Sequence, residues 1–137
     1  MRLIAILLVL SLCGCSATQL RQEFLGYSMN DVKNSKNKQV VNFKMSPSDS
    51  FSKVRDRLKD MGAIVREDKG NLYMVADNFQ DVFRSTIDTT QVGILVTSAG
   101  EGKSRVEVAS GNIDLAAFVA KGIAAKESPK RIAPGAK

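Results

Sequence analysis

The sequence predicts an α+β fold, an antiparallel sheet of about five strands with two main helices packed on one face. Three observations point to it. Apolar residues alternate with polar ones in three short stretches, around positions 41–45, 92–96 and 106–108, which is the period of a half-buried strand. Two other stretches, 51–61 and 115–123, repeat their apolar residues at helical spacing. Two turn-rich tetrads join neighbouring strand candidates into hairpins.

The first strand starts at Gln39. Val41, Phe43 and Met45 alternate with Asn42 and Lys44 until Ser46-Pro47-Ser48 stops the run and opens a helix, with a capping hydroxyl and a proline in the first turn. That helix is expected to reach about Met61. Phe51, Val54, Leu58 and Met61 share one face, Lys53, Arg55, Asp56, Arg57, Lys59 and Asp60 fill the rest, and Gly62 supplies the C-terminal stop.

Residues 63–67 and 72–76 read as strands joined by Asp68-Lys69-Gly70-Asn71, a hairpin turn. Val92, Ile94 and Val96 then alternate towards Gly100-Glu101-Gly102-Lys103, and Val106 and Val108 alternate out of it, giving a second hairpin. Between the hairpins, residues 78–90 fit two descriptions: Phe79, Val82 and Phe83 suit a helical turn, and the segment also suits a long loop across one end of the sheet. The last helix opens at Asn112, a good cap, and carries Leu115, Phe118, Val119, Gly122 and Ile123 on one face to about Lys126. Its alanines make it a strong helix former, and with Gly122 they are expected to let it approach the sheet closely. Burying all these stripes at once calls for a sheet with helices on one side.

The segments outside this unit are of different character. Arg2 gives a positive start, and Leu3-Ile4-Ala5-Ile6-Leu7-Leu8-Val9-Leu10 is an apolar run too short for a permanent membrane span. Directly after it, Leu12-Cys13-Gly14-Cys15 resembles the lipobox of bacterial lipoproteins: an apolar residue, a small one, Gly or Ala, then Cys. The resemblance covers only the leader. It implies that residues 1–14 are a signal peptide cut after Gly14, and that Cys15 takes a diacylglycerol thioether and acyl chains such as palmitate. Ser16 in place of Asp beside it is the pattern that favours the outer membrane, facing the periplasm. At about 0.8 kcal/mol per buried methylene, two or three chains anchor firmly where one is marginal.

Residues 15–38 then form a lipidated start and tether. Leu20, Phe24, Leu25 and Tyr27 suit a turn or two of helix with an apolar side, and residues 30–38 are polar enough for a loop. Phe24, Leu25 and Tyr27 are candidate contact residues that dock on the domain, lie in the membrane interface or meet a partner. Residues 39–126 are the periplasmic domain. Residues 127–137, with Pro129, Lys130, Arg131 and Pro134, read as a flexible basic tail in which Lys130 and Arg131 can reach headgroups or an acidic partner. The order of elements over 39–126 is similar to small accessory domains of envelope lipoproteins, including some attached to the outer-membrane β-barrel assembly machinery. That likeness is one of architecture and carries no motif.

Removing 14 of the 137 residues leaves 123, enough for one domain. The charge of +6 suits an anionic partner such as lipid headgroups; nucleic acid is not expected for a secreted chain. There is no histidine or tryptophan, and both cysteines lie at the leader junction. This removes Ser-His-Asp and Cys-His nucleophiles, His metal sites, thiol redox chemistry and a structural disulfide within the domain. Ser50-Phe51-Ser52-Lys53 has the spacing of a Ser/Lys dyad, but with Phe51 buried, Ser50 and Lys53 are expected on the solvent side. The carboxylates Glu67, Asp68, Asp77, Asp81, Asp88, Glu101, Glu107 and Asp114 fall mainly in turns and at strand ends, where solvated charge explains them. Gly100-Glu101-Gly102-Lys103 joins strands and so does not form a phosphate loop.

The expected function is therefore a non-enzymatic binding or assembly module anchored in the cell envelope. No cofactor is expected beyond the lipid on Cys15. Its partners would be the membrane and an envelope protein, met through an open sheet face, an edge strand or the N-terminal apolar segment. The alternative is a periplasmic carrier of a small apolar ligand or lipid, with a pocket lined by Phe43, Leu115 and Phe118.

Overall fold

The computed structural model describes residues 28–79 and 91–126. Helix α1 spans Met29–Asn34, strand β1 Gln39–Phe43 and helix α2 Pro47–Asp60. Strands β2 (Ile64–Asp68), β3 (Tyr73–Asp77), β4 (Val92–Ser98) and β5 (Ser104–Ala109) follow, and helix α3 covers Ile113–Ala124. The five strands form one sheet in the order β1-β5-β4-β3-β2, and every pairing is antiparallel. This is the α+β class with five strands. Helix α2 carries the chain from one edge strand to the other, and four successive strands bring it back beside β1.

Local chemistry sets the helix ends. At α2, Ser46 Oγ accepts from the Asp49 amide at 3.1 Å, and Pro47 occupies the first turn, where its missing N–H costs nothing. At its far end Gly62 adopts φ 84°, so its amide reaches the Lys59 carbonyl (2.9 Å) and the Ala63 amide reaches Leu58 (3.0 Å). That pair of bonds is a Schellman motif and needs a residue free to enter the left-handed region. Helix α3 starts on Asn112, whose Oδ1 accepts from the Asp114 and Leu115 amides at 3.0 and 3.3 Å.

Phe51, Val54 and Leu58 of α2 and Leu115, Val119 and Ile123 of α3 pack on the face of the sheet carrying Met74, Ala76, Val92, Ile94, Val96, Val106 and Val108. Fully burying each Leu, Ile or Val contributes roughly 1.5–3 kcal/mol before chain entropy is counted.

The other face is not bare. The segment read as a polar loop contains α1, whose buried Val32 packs with Leu95 and Ala109, with Met29 and Tyr73 alongside. The packed unit therefore includes residues from Ser28 onward, upstream of Gln39. A capping box makes so short a helix feasible: the Asp31 amide donates to Ser28 Oγ at 3.2 Å, and the Ser28 amide donates to Asp31 Oδ2 at 2.8 Å. Covered on both sides, β4 is buried from Val92 through Val96, which the alternation of Val92, Ile94 and Val96 alone does not reveal.

Smaller differences follow the same logic. Strand β1 ends at Phe43, two residues before Met45, because the chain bends there to enter α2. Both strands of the first hairpin lie one residue later than the spacing predicts, and pair from Ile64 with Asp77 to Asp68 with Tyr73. Gly122 faces Met61, the residue that caps α2, not the sheet: a Cβ there would meet the Met61 sulfur at 2.8 Å. Of residues 78–90, positions 80–90 lie outside the described residues, and Phe79 is buried in the main core.

Candidate functional site

Of the residues singled out from the sequence for function, Cys15, Phe24, Leu25, Tyr27, Lys130 and Arg131 lie outside the described residues. The structure does place the points where the chain passes to them. On the N-terminal side, Ser28 leads directly into α1 on the face of the sheet opposite α2 and α3. On the C-terminal side, Arg57 Nη2 donates to the carbonyls of Ala125 (2.9 Å) and Lys126 (2.7 Å). A guanidinium from α2 thus satisfies carbonyls at the C-terminal end of α3, where positive charge is favoured.

The Ser/Lys spacing does not assemble a nucleophile. Ser50, expected on the solvent side, is fully buried and hydrogen-bonded through Oγ to Ser104 Oγ, itself fully buried. It lies on the inner side of α2, one position before Phe51, where a small hydroxyl fits against β5. Lys53 turns elsewhere, with its Nζ 4.9 Å from the centroid of the Phe43 ring.

Nor do the carboxylates converge. Glu67 lies 3.8 Å from Arg55, and Asp77 3.5 Å from Arg66. Asp68 accepts from the Asn71 side chain at 2.7 Å and from its amide at 3.2 Å. These bonds, the side-chain one first, hold the Asp68 carboxyl below its ordinary value. Arg55, hydrogen-bonded to Asp56, is held even more firmly protonated than usual.

Glu107 departs from the expectation of solvated charge. It sits within β5, is only 8% exposed, and meets Lys38 Nζ at 3.2 Å and Arg105 Nη2 at 3.1 Å. A buried carboxylate in a sheet needs such partners, and here two cations share it.

The residues named for a carrier pocket are packing residues: Leu115 lies fully within the main core, and Phe43 and Phe118 pack partly buried against it. Among the described residues, no three His, Cys, Asp or Glu side chains gather as a metal site, and no helix is long and apolar enough to cross a membrane.

Among the described residues, three large apolar side chains are exposed. Val40 (41%) and Ile64 (60%) belong to the two edge strands, and Ile113 (51%) opens α3. By alternation from Val41 and Val65, which pack on the main core, Val40 and Ile64 sit on the face that carries α1. Comparison of the chain with protein families, curated proteins and solved structures finds no match.

Proposed function

We propose that the chain is made as a lipoprotein precursor, and that Cys15, carrying lipid, holds the α+β unit on a cell-envelope membrane as a non-enzymatic binding or assembly module. The observation that carries this reading is Leu12-Cys13-Gly14-Cys15 at the end of an apolar run. Ser16 beside the cysteine favours the outer membrane, with the domain facing the periplasm. Ser28, the first described residue of the unit, follows Cys15 by 13 residues, so the two are at most about 45 Å apart. A domain on such a leash works close to the headgroups.

The non-enzymatic part rests on how the side chains suited to chemistry are used. Ser50 bonds Ser104 in the core, and Glu67, Asp68, Asp77 and Glu107 each have a neighbour that neutralises or orders them. Exposed edge strands and the sheet face around α1 are the surfaces open to a partner.

Labelled palmitate supplied to cells making the full chain tests the anchor. Label should enter the wild type and be absent from Cys15→Ser. Equal labelling of both would remove the basis of this reading.

A further inference from the structure

The face of the sheet that carries α1 is electrostatically lopsided. In the β1–β5 ladder Val40 stands opposite Glu107 and Asn42 opposite Arg105, all four on the side away from α2 and α3. Lys44 and Lys103, both exposed, flank the Phe43–Ser104 end of that ladder. Lys38 closes the other end against Glu107, and the exposed Lys33 and Lys36 follow from the last turn of α1. Lys38 and Arg105 thus lie on this face, with the exposed Lys33, Lys36, Lys44 and Lys103 next to it along the chain, six bases in all.

Few acids oppose them, and of these Glu101 lies exposed in the turn two residues before Lys103. Glu107 is already shared between Lys38 and Arg105, and Asp31 is turned back onto Ser28 in the capping box. Across the same face, on β2 and β3, there is no positive excess: Arg66 is paired with Asp77, and Asp68, held by neutral Asn71, adds a negative charge. The excess positive charge therefore belongs to the β1–β5 half, with the exposed Val40 in its middle.

We infer that this stripe rests on an anionic membrane, its bases facing the phosphates of glycerophospholipid headgroups and Val40 meeting the interface. The choice of a membrane over an acidic protein rests on the anchoring reading. The chain passes from Cys15 to Ser28 in 13 residues, and α1 then lies on this very face, so an anchored domain presents the stripe to the bilayer at high effective concentration. Bases near an anionic leaflet are attracted within a Debye length of it, and exposed bases grouped along the β1–β5 ladder and the end of α1 can come that close together.

The test is sedimentation of residues 16–137 with phosphatidylcholine vesicles, with and without phosphatidylglycerol, at low and physiological salt. This fragment contains both cores, from Val32 to Ile123, so the packed unit is complete. It lacks Cys15, so its result is independent of the palmitate experiment. Binding should require phosphatidylglycerol and weaken with salt. Each of Lys44→Gln, Lys103→Gln and Arg105→Gln should lower the partition coefficient about fivefold, the equivalent of roughly 1 kcal/mol per base. Lys59→Gln and Lys121→Gln, on the helical side, should leave it unchanged. Equal binding to neutral vesicles, no binding at all, or losses that follow Lys121 or the tail pair Lys130 and Arg131 in place of the stripe would overturn the inference. No binding would leave the stripe to an acidic protein.

Discussion

The Lys38 ammonium lies 3.2 Å from a Glu107 carboxylate oxygen and donates at 2.8 Å to the Lys33 carbonyl, so one side chain ties the last turn of α1 to the middle of the sheet. A six-residue helix has almost no stability of its own. Its hold on the fold comes from Val32 beneath it, the Ser28–Asp31 box at its start and Lys38 at its end.

The first prediction separates the partners of Glu107. Lys38→Met leaves Glu107 paired with Arg105 and should cost only about 0.5–1 kcal/mol. Glu107→Gln leaves Lys38 and Arg105 side by side without their shared carboxylate and should cost more, roughly 1–2 kcal/mol. A double-mutant cycle in urea should give a coupling of about 1 kcal/mol. Coupling indistinguishable from zero would mean that the contact is incidental.

Ser50 and Ser104 form a polar contact between α2 and β5 inside an apolar core. Ser50→Ala strands a buried hydroxyl and should destabilise by about 1–3 kcal/mol, whereas Ser50→Ala with Ser104→Ala should recover part of that, since neither hydroxyl is then left unpaired. Additive losses in the double variant would refute the pairing. Neither change should alter vesicle binding, because both hydroxyls point into the core, on the side of the sheet opposite the basic face.

These contacts mark where local reasoning stops. The period-2 alternation of Val41 and Phe43, the Ser46-Pro47 start, the Gly62 stop and the Asn112 cap are statements about neighbours in sequence, and the elements they specify stand where expected. Ser50 precedes Val54 by four residues and Leu58 by eight, so helical spacing already sets it beside the buried face; its polarity argues for solvent, and spacing cannot show the partner 54 residues away that satisfies its hydroxyl. Glu107 looks solvated until α1 and Lys38 are brought over it. The α1 segment has a single buried apolar residue, too few for a periodicity signal; the readable clue was Ser28-x-x-Asp31, a capping box with Asp in the place of the usual Glu. The anchor motif stands apart from all of this, as a pattern read by processing enzymes and not a consequence of packing.

The Asp68 turn makes a pH prediction. Because Asn71 lowers the carboxyl's titration in the folded state, the turn is more stable with Asp68 ionised. That contribution is full above the ordinary carboxylate value and is lost as pH falls through the lowered one. Side-chain NMR should show Asp68 titrating below an ordinary aspartate, and Asn71→Ala should move its midpoint upward. An unchanged midpoint would show that the backbone amide alone sets it.

The last prediction concerns the junction of the two long helices. Gly122 leaves room for Met61, whose sulfur and methyl would lie 2.8 and 2.9 Å from an added Cβ. The obstructing atoms are the far end of an unbranched side chain, so Met61 can swing aside, while alanine regains about 1 kcal/mol of helix propensity over glycine. Gly122→Ala should therefore lie within about 1 kcal/mol of wild type in urea denaturation. Gly122→Val adds atoms that a single methionine cannot clear and should cost roughly 1–3 kcal/mol. Leu58→Ala, which empties a fully buried site under the same helix pair, sets the scale at about 2–5 kcal/mol. A Gly122→Ala loss as large as that of Leu58→Ala would show Met61 to be locked, and the α2–α3 junction to be the most tightly fitted point of the core.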